Sequence, residues 1–101
     1  MAYKVVFDDS AIVEYVEIVD YLVATKSSKT AAKNFVDKIQ KILSLIEENP
    51  DNFGLIKFKQ FKKLGFHKVN INNYLMLYVV KSNKVYIKHI FHQSQDYANL
   101  V

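Results

Sequence analysis

Residues 66–91 read FHKVNINNYLMLYVVKSNKVYIKHIF, and this stretch decides the fold. Phe66 to Ile71 alternates apolar and polar side chains, the period of a strand with one buried face. Asn72-Asn73 then supplies a two-residue hairpin turn, because asparagine tolerates positive φ. Tyr74 to Val80 is apolar on both faces, as a central strand is. Ser82-Asn83 marks a second turn and Val85 to Phe91 a last strand. Strict alternation on that strand puts His89 with Ile87 and Phe91, and His92 with Tyr86, Lys88 and Ile90.

Toward the N-terminus, Leu55 to Phe61 alternates more loosely, with Ile56 and Phe58 opposite Lys57 and Lys59, and is a candidate for one more strand. Before Pro50 the period changes from two to 3.6. Ala32, Phe35, Val36, Ile39, Ile42, Leu43 and Ile46 form one buried helical face, closed by Glu47-Glu48-Asn49-Pro50. An earlier helix has apolar residues at 12, 15, 16, 19 and 22 beside Ile18, with Glu14, Glu17 and Asp20 on its exposed side. Asp8, Asp9 and Ser10 supply its N-cap chemistry, and Thr25 to Lys29 is a polar connector with a cap candidate in Ser27 or Ser28. Tyr3 to Phe7 reads as a short strand. The order is a short N-terminal strand, an antiparallel helical hairpin, then an antiparallel meander of three to four strands. This is an α+β fold, expected as a single domain over residues 1–101.

Composition narrows the chemistry. The chain has 101 residues with fourteen lysines, ten acids, no cysteine and no arginine. Thiolate nucleophiles, thiolate metal sites and disulfides are excluded. Two glycines cannot build a phosphate-cradling loop, and neither a serine nucleophile elbow nor a paired-carboxylate motif is present. No apolar run approaches the roughly 20 residues of a membrane span, and the start lacks a signal peptide's apolar stretch, so a cytoplasmic protein without membrane contact is expected. No metal and no cofactor is implied.

Charge is divided along the chain. Residues 1–53 hold six lysines and nine acids, net −3, while residues 54–101 hold eight lysines and Asp96 alone, net +7. The basic half is where a polyanion would bind. Three histidines, 67, 89 and 92, are the side chains whose unperturbed titration falls near neutrality; His89 and His92, three apart on one strand, point oppositely, and with no cysteine and one nearby acid no metal site is expected. His89 reads as a half-buried, hydrogen-bonded histidine. Interleaved Phe58, Phe61, Phe66 and Tyr74 read mainly as core, and otherwise as faces on which bases stack.

Several stretches resemble the RelE/ParE superfamily, the toxin half of type II toxin–antitoxin pairs: Ile18-Val-Asp-Tyr-Leu22, Ala31-Ala-Lys-Asn-Phe-Val-Asp-Lys-Ile39, Ile46-Glu-Glu-Asn-Pro50, Lys63-Leu-Gly, Asn73-Tyr-Leu-Met-Leu-Tyr78 and Val85 through Tyr97. They cover nearly the whole chain in order. The resemblance implies a growth-arresting toxin bound in a hetero-oligomer by a cognate antitoxin. One expectation is a RelE-like, ribosome-dependent and metal-independent mRNA endonuclease, with ribosome and mRNA as partners. The alternative is a ParE-like inhibitor of DNA gyrase that cuts nothing, and a further one an inactive relic or RNA-binding module. For RNA cutting the resemblance implies His67 and His92 as acid and base, Tyr97 orienting or stacking, and Lys57, Lys59, Lys62, Lys63, Lys68 and Lys88 on phosphate. The chain carries Lys68 and Gln93 where cutters commonly carry arginine, and its long helical hairpin with Ala31-Ala32 resembles ParE-like members.

Overall fold

In a computed structural model the described residues are 3–25, 29–55 and 65–93. Strand β1 (Lys4–Phe7) leads into helices α1 (Asp9–Thr25) and α2 (Lys29–Glu48) and a 3-10 turn at Pro50–Asn52. Strands β2 (His67–Ile71), β3 (Tyr74–Lys81) and β4 (Lys84–His92) follow. The sheet order is β1-β4-β3-β2, with β1 parallel to β4 and the other pairs antiparallel. The hairpin residues behave as their chemistry demands: Asn72, Ser82 and Asn83 all take positive φ. Positive φ at both Ser82 and Asn83 matches the right-handed twist of the strands they join.

The helices pack on one side of the sheet. α2 buries the face its spacing requires, with Ala32, Phe35, Ile39, Ile42 and Ile46 all in the core. Phe35 lies between the rings of Tyr15, at 6.0 Å, and Tyr74, at 5.2 Å. A second, smaller cluster of Phe66, Leu75, Leu77 and Phe91 occupies the opposite face of the sheet. That is why β3 is apolar throughout: Tyr74, Met76 and Tyr78 face the helices, while Leu75 and Leu77 face away.

Three expectations need correction. First, the buried face of α1 is Ala11, Ile18 and Leu22 with Tyr15 and Val19 partly covered, whereas Ile12 and Val16 are exposed. α1 thus carries two apolar stripes where α2 carries one, which blurs the periodicity on which its facing was read. Second, Glu14 is half-buried and belongs to the sheet contact. Strand β1 stops opposite Ile87 while β4 runs on to His92, so the outer edge of β4 loses its strand partner. α1 takes over: the Ser10 hydroxyl donates to the Lys88 carbonyl (3.0 Å), and the Glu14 carboxylate accepts from the Ile90 amide (3.1 Å) and from His89 Nδ1 (3.3 Å). Third, a register shift pairs Leu77 with His89 but Tyr78 with Ile87, leaving Lys88 as an extra residue. The bulge breaks strict alternation. Ile87 and Ile90 both join the helix-side core, while His89 and Phe91 lie together on the other face, rings 6.4 Å apart.

The expected strand at Leu55 to Phe61 is described only at Leu55, which bridges His67; its remainder lies outside the described residues, as do Ser27 and Ser28. Among the described residues no helix is long and apolar enough to cross a membrane.

Candidate functional site

The two histidines offered as acid and base lie on β2 and β4, either side of β3. His67 pairs with Tyr78 and His92 with Tyr74, four residues apart along β3, a separation of about 13 Å. His67 is 7 % exposed, its ring stacked on Tyr78. Its Nδ1 is 2.7 Å from the Phe53 carbonyl; a carbonyl only accepts, so Nδ1 carries the proton. His92 is exposed and meets the Tyr74 ring edge-on at 5.5 Å. Lys68 is exposed on the face of β2 opposite His67, and Lys88 is paired with Asp8 at 2.8 Å. Lys57, Lys59, Lys62, Lys63 and Tyr97 lie outside the described residues.

The strand register gathers cations that the sequence does not show as neighbours. Lys4 pairs with Lys84 and Lys84 with Lys81, so three lysines from three strands stand in one row across the sheet. Val5 and Val85 belong to the helix-side core, so pleat alternation sends this row toward the other face, where Lys68 also projects. Strands β2 to β4 contain no acid to oppose them.

His92 stands at the rim of a cleft of about 680 Å³ between α1, α2 and the sheet end. Its apolar floor includes Ile18, Leu22, Phe35 and Ile90. α1 lines one wall with Glu14, Glu17 and Tyr21; Asn34, Asn72 and Asn73 supply amides opposite. Burial raises the Tyr74 hydroxyl above the ordinary tyrosine pKa, reinforced by the neighbouring Tyr21. The cleft sets phenols and amides against two carboxylates. Glu14 was passed over because it reads as a solvated helix position, and Tyr21 because it lies off the apolar spacing of the helix. The usable signal was the mismatch between a four-residue β1 and a nine-residue β4, which leaves an edge for α1 to cover.

A helical hairpin with an acidic first helix, laid over a cationic four-stranded sheet of order β1-β4-β3-β2, defines the class: a RelE/ParE-like toxin fold. The chain belongs to the family of ParE toxins of type II toxin–antitoxin systems, parDE, whose model matches residues 5–97. No curated protein matches the chain. Among solved structures, a chromosomal ParDE toxin–antitoxin system from P. aeruginosa superposes with a TM-score of 0.66 at 14 % identity, over 90 % of this chain and 96 % of that one. The YoeB dimer from Staphylococcus aureus gives 0.62 at 20 % identity, over 92 % and 99 %. The RelBE2 toxin–antitoxin complex from Mycobacterium tuberculosis gives 0.60 at 14 %, over 92 % and 100 %. At these identities the likeness is one of fold.

Proposed function

We propose that this type II toxin arrests growth by binding its target without cutting it, the gyrase-directed mode of ParE-like members, and that a cognate antitoxin neutralises it. The observation that carries this reading is His67: it is buried, stacked and hydrogen-bonded, about 13 Å along the strand from His92. Acid and base must both reach one phosphodiester, and a side chain held in this way is built for packing. The long acidic α1 with its exposed Ile12, Val13, Val16 and Val23 supports an antitoxin that covers the hairpin.

RNA cutting stands as the second reading because His92 is exposed beside a cleft lined by Glu14 and Glu17, and because the lysines from Lys57 to Lys68 suit phosphate. There His92 would act as acid or base and Tyr97 would orient the substrate. One pair of assays separates the readings. Purified toxin is expected to block gyrase supercoiling while mRNA stays intact on translating ribosomes. Ribosome-dependent cleavage that disappears in His92→Ala, with supercoiling untouched, overturns the gyrase reading in favour of cutting.

A further inference from the structure

The cleft beside His92 has a polarity. On its α1 wall, Glu14 and Glu17 lie three residues apart on one helix face, and Tyr21 follows four residues on. Tyr21 is 54 % exposed, a large ring left open one helical turn from the exposed Glu17, on the wall that also holds the half-buried Glu14. α1 as a whole bears Asp9, Glu14, Glu17 and Asp20 and no lysine, in a chain of net charge +4. At the far end lie Asn72, whose Oδ1 accepts from Lys38 Nζ at 3.0 Å, and Asn73, so amide dipoles face the acidic wall across an apolar floor. A ligand that satisfies this arrangement is cationic at one end, aliphatic in its stem and carbonyl-bearing at the other.

We infer that the cleft is a socket for an arginine side chain of a partner protein, its guanidinium between the Tyr21 ring and the Glu14–Glu17 wall and its backbone amide at Asn72 and Asn73. A guanidinium stacks on an aromatic face and forks onto carboxylates, which a lysine ammonium does less well. Its methylene stem covers the floor of Ile18 and Leu22, as long cationic side chains do along apolar surface. The occupant is not a second copy of this chain, because the chain contains no arginine. Under the reading above, the partner is the antitoxin, and the arginine is one of its anchors.

The test uses the full-length, isotope-labelled chain and N-acetyl-arginine amide as probe, followed by NMR. Saturable shifts are expected at Glu17, Tyr21, Asn34 and Asn73, with a dissociation constant of about a few millimolar. N-acetyl-citrulline amide, the neutral isostere, is expected to bind about tenfold more weakly. Glu17→Gln and Tyr21→Ala are each expected to weaken arginine amide about fivefold. Both positions are exposed, and an unchanged circular dichroism spectrum shows that each variant is folded. A flat response up to about 50 mM probe overturns the socket. So does an equal response to citrulline amide, a preference for guanosine monophosphate, or shifts that follow protein concentration alone. Supercoiling and cleavage assays read the target and the titration reads the cleft, so either reading can fail without the other.

Discussion

His67 and Tyr78 stack ring on ring, centroids 4.8 Å apart and planes 8° from parallel, and each fastens the same segment to the sheet. His67 Nδ1 donates to the Phe53 carbonyl and the Tyr78 hydroxyl to the Pro50 carbonyl. The 3-10 turn after α2 is thus tied to β2 and β3 by two side-chain bonds, with Asn49 capping it through the Asp51 amide at 3.0 Å. His67→Ala removes a buried ring and leaves a carbonyl unpaired, a loss of about 2–3 kcal/mol. Urea denaturation is expected to show that loss, while supercoiling inhibition per folded molecule stays at the wild-type level. An inhibition that vanishes in folded H67A protein returns His67 to the functional surface.

The Tyr78 hydroxyl makes a second, pH-dependent prediction. Burial is the main cause that raises its pKa far above the ordinary tyrosine value, with the Asp51 carboxylate adding to it. Below pH 10 the phenol is neutral in both folded and unfolded chains and contributes no pH dependence. Above pH 10 the unfolded chain releases this proton while the folded chain retains it, so stability falls by about 1.4 kcal/mol per pH unit for this group. Alkaline denaturation is expected to set in above pH 10 and to be shallower in Tyr78→Phe. Tyr15 and Tyr74, also raised by burial, keep part of the slope in that variant.

Element order, helix positions and both asparagine-bearing turns were legible because each depends on local chemistry: period, φ preference, and a proline at the end of α2. The facing of α1 was not legible, since Ile12 and Val16 are as apolar as Ile18, and only the sheet decides which set is covered. The bulge at Lys88 was hidden for a similar reason. It answers the demands of Tyr78 and Asp8, which lie far away in sequence. The site suffered most from this: alternation placed Ile87 beside His89, and although the Asn72-Asn73 turn sets His67 opposite Tyr78, no local pattern shows the bulge that moves Tyr74 from Phe91 to His92. The family itself was visible from ordered stretches across the chain, because those stretches supply much of the fold's core and turns.

Glu14 holds the edge that β1 leaves open. Glu14→Ala exposes the Ile90 amide to solvent and removes the partner of His89, at a cost of about 1–2 kcal/mol. Hydrogen exchange at Ile90 is expected to accelerate far more than at Met76 in the interior of β3. Glu14→Gln retains an acceptor for the amide and is expected to recover most of the protection. Unchanged exchange at Ile90 in Glu14→Ala shows that the edge is closed without the carboxylate.

The outward stripe of α1 separates binding from stability. Val13 is 56 % and Val16 is 50 % exposed, so charges there cost the fold little, within about 0.5 kcal/mol. Val16→Lys is expected to leave the unfolding midpoint in place and to weaken antitoxin binding about tenfold or more, because a lysine in the middle of an apolar contact is desolvated without a partner. Calorimetric titration with the antitoxin measures it. Wild-type affinity in Val16→Lys assigns the antitoxin to another face.

The lysine row at the sheet end sets stability against polyanion binding. Lys81 and Lys84 stand directly opposite across the Ser82-Asn83 turn, and Lys4 extends the row onto β1. Like charges facing each other across strands are destabilising, by about 0.2–1 kcal/mol per pair, and salt screens them. Lys84 is the middle member, so Lys84→Glu converts both repulsions into attractions with one substitution. The variant is expected to unfold at higher temperature than wild type in low salt, with the gap closing as salt is raised. Its affinity for heparin or a mixed oligonucleotide is expected to fall, and the salt slope of binding to shrink with it. A variant that is more stable yet binds polyanions as tightly as before shows that this row serves no anion, and confines any such contact to the stretch from Lys57 to Lys68.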